Sequence, residues 1–261
     1  MGSYLTLREI QLEELKIAKT ITEFCERNQI AYFLSSGSLL GAVRHEGFIP
    51  WDDDMDLYML RDDYTKFCET FADNTLQLRY CENGTLYAPF AKVCNPKIKV
   101  ERDVVNGSDN SMLWVDIFPL DGIPKPGLRQ KVYFARIRYM ERMIYMSRAT
   151  KTHGSFIKKL IWRIFHSYFY NKDEEFSGEL ARKISSYRRG FSASKTGYVC
   201  SPGYAYPYEI FKHRKKYKFE DTEFFSVEDF DSYLSTVYGE YMKMPPVEKR
   251  GGHSMKAYYV T

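Results

Sequence analysis

No apolar run in this chain approaches the roughly 18 to 20 residues that a bilayer-spanning helix needs. Leu12-Glu13-Glu14 breaks the N-terminal stretch where a signal peptide would carry its apolar core. Cysteine is sparse: Cys25, Cys68, Cys81, Cys94 and Cys200 make an odd number with no CxxC pair. That excludes a disulfide framework and a clustered zinc site, and it suits reduced thiols in a cytoplasmic protein. The histidines are scattered, with none in HExxH spacing. Basic residues outnumber acidic ones only slightly, and a net charge of +4 is too small to argue for a nucleic-acid partner. Internal repeats, low-complexity tracts and long linkers are also missing. What remains is a soluble or membrane-peripheral globular protein, whose 261 residues suffice for one large domain or two small ones. Tyrosine and phenylalanine are abundant, but these are mostly core and strand residues and carry no functional weight alone.

The most informative stretch is GSLLGAVRHEGFIPWDDDMDL, from Gly37 to Leu57. A small-residue turn, Ser35-Ser36-Gly37-Ser38, follows the apolar run Ile30–Leu34, and bare amides in such a turn suit a phosphate. Further on, Asp54 and Asp56 flank one apolar residue; in a strand they project to the same side. Asp52, Asp53, Asp54 and Asp56 repel one another unless a cation or solvent intervenes, and they are wedged between Phe48-Ile49-Pro50-Trp51 and Met55–Leu57. A calcium loop starting at Asp52 fails, because its sixth position is Leu57 where the turn requires glycine. An Asp-x-Asp of a sugar-nucleotide glycosyltransferase stays open as an alternative, although little chain precedes it.

Thr6-Leu7-Arg8-Glu9 has capping-box form and opens a helix to about Asn28, with Leu7, Ile10, Ile17, Ile21 and Phe24 on one face. Strands are expected over Ile30–Leu34 and Asp54–Met59, with a short helix over Ser38–Arg44 whose N-terminus points at the phosphate site. A helix over Asp62–Asp73 and mostly strands over Leu76–Val100 follow, then a polar loop at Asn106–Asn110. Leu113–Pro119 is an apolar strand carrying one charge, Asp116. A lone buried carboxylate needs a partner or a metal, so Asp116 is the third member of a triad with Asp54 and Asp56. Asp121, beyond Pro119, reads as a turn residue. Residues 127–190 are helical and basic. Phe156–Tyr170 mixes cations with apolar residues, as in a helix resting on an anionic membrane, or in a packed helix with a wet basic edge. Residues 196–225 read as a strand-rich return, and Phe230–Tyr241 as the last helix.

These residues resemble the signature of the LicD family of phosphocholine transferases, which includes the fukutin-related proteins. TLREIQLEELKIAKTITEFCERNQIAYFL resembles the family's opening helix and strand, WVDIFPLDGIP its third motif, and YGEYMKMPPVEKRGGH its ending. The resemblance implies an α+β, nucleotidyltransferase-like mixed sheet with an N-terminal helix and a helical subdomain. Along the chain this divides into a catalytic core over about 1–125, a basic helical subdomain over about 126–190, and a return to the core with a C-terminal tail over about 191–261. It further implies Mg²⁺- or Mn²⁺-assisted transfer of a phosphorylated alcohol, most often phosphocholine from CDP-choline, onto a sugar hydroxyl of a cell-surface glycan such as a lipopolysaccharide or teichoic acid, with CMP leaving. The partners implied are a CDP-alcohol donor and a lipid-linked glycan acceptor, met in the cytoplasm or at the inner membrane face. By position Asp54, Asp56 and Asp116 match the metal carboxylates, and Gly37 and Ser38 the small-residue turn, where members often carry Gly-Gly-Thr against Ser36-Gly37-Ser38 here. Asp116 is also the candidate general base. Arg44 and Lys92 are candidate phosphate partners, and His45 a phosphate donor or a helix cap. Trp51, Tyr58, Tyr87 and Trp114 are candidate faces for a choline cation, and Arg250 and His253 could close over the site. A true nucleotidyltransferase, releasing pyrophosphate, and a glycosyltransferase remain alternatives.

Overall fold

A computed structural model of the chain describes residues 3–101, 111–148, 160, 163–164, 174–190, 198–199, 205–251 and 255–260. Helix α1 spans Leu7–Arg27 and starts with a complete capping box: Glu9 N donates to Thr6 Oγ1, and Thr6 N donates to Glu9 Oε2 at 2.7 Å. Its Ile10, Ile17 and Ile21 are buried, while Leu7 is exposed. Strand β1 (Phe33–Leu34) is followed by α2 (Ser36–His45), β2 (Asp56–Leu60), α3 (Arg61–Thr70), β3 (Gln77–Tyr80), β4 (Ala91–Glu101) and β5 (Met112–Gly122). Among the described residues the helical segment contributes α4 (Leu128–Arg148) and α5 (Glu174–Arg189). Short strands β6 (Tyr198–Val199) and β7 (Ala205–Tyr206), the hairpin β8 (Arg214–Phe219) and β9 (Thr222–Val227), α6 (Phe230–Tyr238) and β10 (Lys256–Tyr259) complete it.

The main sheet runs β1-β2-β5-β4-β10, with β2 and β5 parallel and the other pairs along that path antiparallel. β3 and β10 share the outer edge of β4, at opposite ends. The register of β4 on β5 shifts between Asn95 and Lys99, where Pro96 withholds an amide from the ladder. The architecture is the α+β mixed sheet expected. One core joins α1, α3, the sheet and the hairpin; a second, smaller cluster of Ile123, Tyr133, Ile137, Met140 and Ile184 packs α4 on α5.

Several boundaries differ from the sequence reading. β1 is two residues long, α2 begins at Ser36, and Asp54 precedes β2. β5 runs through Pro119, so Asp121 is a fully buried strand residue rather than a turn. Arg61 Nε and Nη2 donate to its two oxygens at 2.6 Å each, and Arg188 Nε lies 3.2 Å from Oδ2. β10 escapes the sequence reading altogether. The expected amphipathic segment 156–170, the loop 106–110, Cys200 and His253 lie outside the described residues, apart from isolated positions within 156–170. Among the described residues no helix is long and apolar enough to cross a membrane.

Candidate active site

Strand registry builds the centre of the site. Asp56 on β2 stands level with Asp116 on β5, and Asp116 with Lys92 on β4. Level residues on neighbouring strands project to the same face, so acid, acid and base stand abreast across three strands. Lys92 Nζ lies 3.0 Å from Asp116 Oδ1 and 3.7 Å from the centre of the Trp114 ring. Trp114 Nε1 donates to Asp116 Oδ2 at 2.9 Å. Both Asp116 oxygens are therefore engaged, and Lys92, expected on a phosphate, is held by Asp116 here.

Asp56 differs. Among the described residues its carboxylate meets no ion-pair partner, and burial pushes its carboxyl well above the usual range. Asp54, Asp116 and Asp52 push it further, with Lys92 opposing.

The loop before β2 is pinned from several directions. The Asp56 amide donates to Ser38 Oγ at 2.8 Å, and the Ser35 amide to the Asp56 carbonyl at 3.1 Å. Ser38 thus serves first as a clamp between α2 and β2, with its hydroxyl hydrogen left to donate. Gly37 is needed for proximity: a Cβ there would stand 2.6 Å from Asp52 Oδ2. Gly37 and Ser38 lie in the first turn of α2 rather than in an open phosphate turn. The Ser36 amide, in the left-handed region at φ 47°, donates to the Tyr233 hydroxyl at 3.0 Å. Asp53 is buried and accepts from the Met255 amide at 3.0 Å, which ties the start of β10 to this loop. From α1, buried Gln11 donates to the carbonyls of Ile49 and Asp52.

A second group lies beside the acids. Arg44 Nη1 donates to the Tyr241 carbonyl at 2.9 Å and Nε to His45 Nε2 at 3.0 Å. Burial and the neighbouring Arg44 lower the His45 pKa below its ordinary value, which suits an accepting, neutral imidazole. Arg250 stacks over Trp51 at 5.0 Å, and His45 meets the same ring edge-on. Tyr238 lies within electrostatic reach of Asp56, Asp52 and Asp54, and also of Arg44. The cationic group is therefore a neighbour of the acidic face, though Arg44 is spent on protein acceptors. Of the aromatic candidates, Trp114 is covered by Lys92 and Trp51 by Arg250, while Tyr58 packs edge-on to Phe118.

The sequence reading missed Glu14. This α1 carboxyl is fully buried, and among the described residues neither oxygen has a hydrogen-bond partner. Burial and then Asp54, Asp53, Asp116 and Asp52 raise its pKa well above the ordinary value. The only signal in the sequence was a charge at a helix position one turn from Ile10 and Ile17 on the apolar face. Among the described residues no group of three His, Cys, Asp or Glu side chains is arranged to hold a metal ion.

A family model described as LicD/FKTN/FKRP, nucleotidyltransferase domain, matches residues 29–171, more than half of the chain. The chain belongs to this family. The matched span carries every candidate site residue from Gly37 to Asp116. Lipopolysaccharide cholinephosphotransferase LicD of Haemophilus influenzae is 27% identical over 271 aligned positions, which cover 98% of each chain. Ribitol 5-phosphate transferase FKRP of Homo sapiens is 32% identical over 114 residues, 44% of this chain and 21% of that protein. The mouse protein of the same name matches over the same extent.

Proposed function

We propose that the protein transfers phosphocholine from CDP-choline to a sugar hydroxyl of a cell-surface glycan and releases CMP. The observation that carries this reading is the row Asp56–Asp116–Lys92, set in a chain similar along nearly its whole length to a cholinephosphotransferase. Asp54 and Asp56 would hold Mg²⁺ or Mn²⁺. The surplus negative charge at Asp56 and the all-oxygen donor set fit a hard cation, which commonly takes one or two carboxylates and completes its shell with substrate phosphates and water. When bound, such a cation neutralises the diphosphate and the departing CMP oxygen.

The chain's own residues account for the remaining steps. Lys92 exchanges Asp116 for a donor phosphate oxygen, which frees Asp116 Oδ1 to take the proton of the attacking hydroxyl. Trp114 keeps Asp116 oriented during that exchange. Ser38 donates its hydroxyl hydrogen toward the phosphate while still accepting from the Asp56 amide. The reaction is an in-line attack on the phosphorus that carries choline. The phosphorus–oxygen bond to CMP breaks as the bond to the sugar oxygen forms.

A ribitol phosphate cargo is the second reading, favoured by the similarity to FKRP over 114 residues. The test is a thermal-shift and product panel with Mg²⁺ and CDP-choline, CDP-ribitol, CTP and UDP-glucose. A ligand at a hundred times its Kd adds about 2.7 kcal/mol to stability. Stabilisation by CDP-choline with CMP as product supports the proposal. Pyrophosphate release from CTP would indicate nucleotidyl transfer, and response to UDP-glucose alone a glycosyltransferase.

A further inference from the structure

Two residues along the same strands, the row of charges gives way to a row of rings. Tyr58 is level with Phe118, and continuing the β4–β5 register one step past Ala91–Ile117 sets Phe90 level with Phe118 on the other side. Because side chains two apart in a strand share a face, these rings lie on the face of Asp56, Asp116 and Lys92, about 7 Å farther along. Phe90 and Phe118 rings lie 4.6 Å apart, and Phe118 meets Tyr58 edge-on at 6.1 Å. Lys92 Nζ is 5.6 Å from the Phe90 ring, so charged row and aromatic row are continuous.

Beside those rings opens a cavity of about 210 Å³, lined by Tyr87, Phe90, Phe118, Glu141, Ile144 and Arg188 among others. Tyr87 is backed by α5, where a Cβ on Gly178 would touch its ring at 3.4 Å. Arg188 is committed: it pairs with Asp121 and donates to the Pro119 carbonyl at 3.0 Å. Glu141, reaching in from α4, has no hydrogen bond or ion pair within contact distance among the described residues. The cavity around it is walled by three aromatic rings, Ala88, Pro89 and Ile144, with Arg188 paired to Asp121 and Arg138 within electrostatic reach. Among the described lining residues the polar side chains are Tyr87, Glu141 and Arg188, and Arg188 is already paired with Asp121.

We infer that this cavity is the subsite for the donor's quaternary ammonium group, with Tyr87, Phe90 and Phe118 as its aromatic walls and Glu141 as its counter-charge. The inference rests on the phosphocholine reading and deepens it, because it locates the feature that separates choline from a polyol. Aromatic faces attract a quaternary ammonium through the ring quadrupole, and desolvation strengthens that attraction. The two-carbon arm of choline bridges the interval between a phosphate at the charged row and an ammonium at the rings. Glu141 suits this role because burial pushes its carboxyl up to about 7, with Arg188 and Arg138 opposing, so a bound cation relieves an unfavourable charge.

The test uses CMP release from CDP-choline and from CDP-dimethylbutanol, its uncharged carbon isostere, with the wild-type chain and Glu141→Gln. Wild type is expected to prefer CDP-choline by about tenfold in kcat/KM, the scale of a desolvated cation–π contact with a counter-charge. Glu141→Gln should narrow the preference to about twofold, chiefly by raising KM for CDP-choline, at an undiminished thermal midpoint. Phe118→Leu should weaken CDP-choline binding while leaving the Kd for CMP where it was, which separates loss of the subsite from loss of fold. If CDP-choline turns over and the preference is the same in wild type and Glu141→Gln, the subsite is wrong and the transferase reading stands. If wild type releases CMP from CDP-ribitol but not from CDP-choline, both fall.

Discussion

Two charged clusters sit on the same central strand, at Asp116 and Asp121 of β5, and they are built on opposite principles. Around Asp121 the charges are closed: one carboxylate with no exposure takes a two-pronged hydrogen bond from Arg61 and an ion pair from Arg188. Around Asp116 negative charge is left in excess and open: Asp54, Asp116 and Asp52 bear on both Asp56 and Glu14, and Lys92, paired with Asp116, opposes them at Asp56. A closed cluster locks elements together, here α3 and α5 onto β5. An open one spends folding energy on electrostatic readiness, the pattern that perturbed titratable groups show at functional sites. The difference sets apart two aspartates of one strand that residue type alone does not distinguish.

The two clusters should therefore fail in different ways. Asp121→Asn leaves two buried guanidinium groups without their anion and should cost about 3–5 kcal/mol of stability, read from urea unfolding. The molecules that remain folded should still bind CMP, whose phosphate lies with the other cluster, while the Arg188 charge left without its anion weakens CDP-choline binding. Asp56→Asn should do the reverse, lowering CMP release by about 10²–10³-fold while raising the thermal midpoint, since a repelled carboxylate is removed. An Asp56→Asn protein that unfolds instead would erase the distinction.

A smaller effect sharpens it. Folded Glu14 holds its proton more tightly than an unfolded glutamate, whose pKa is about 4.3. Its contribution to stability is full below that value and is lost as pH rises through the folded pKa. Glu14→Gln should flatten this decline in a stability-against-pH series, and an unchanged slope would remove Glu14 from the open cluster. Smallest is Trp114→Phe, which takes one donor from Asp116 and should reduce turnover by about tenfold, the scale of a hydrogen bond to a charged group.

What can be read from the sequence follows the range of the interactions. Helix α1 is legible because its capping box closes within its first turn, and Asp116 because a lone carboxylate in an apolar strand demands an explanation. The same logic fails at Asp121. Pro119 reads as the end of a strand, yet β5 continues past it, and the partners of Asp121 come from Arg61 and Arg188 on distant elements. At the start of α2 one contact is likewise hidden from the sequence, since the Ser36 amide is capped by Tyr233 from far down the chain. Glu14 shows in the sequence only as a charge on an apolar helix face, because every carboxylate that faces it lies on another element. Strand β10 is only four residues long and finds its partner across most of the sequence. The acids of the site are written locally; their balance is set by tertiary structure.

The most direct measurement is the stoichiometry of the reaction itself. The purified chain is incubated with Mg²⁺, CDP-choline labelled in the choline methyl groups, and a glycan acceptor. CMP and glycan-bound label are then counted in wild type and in Asp56→Asn. One CMP per phosphocholine acquired by the glycan in wild type, with neither in Asp56→Asn, is the result the account predicts. Release of pyrophosphate or of a nucleoside diphosphate, or equal transfer by both proteins, would contradict it.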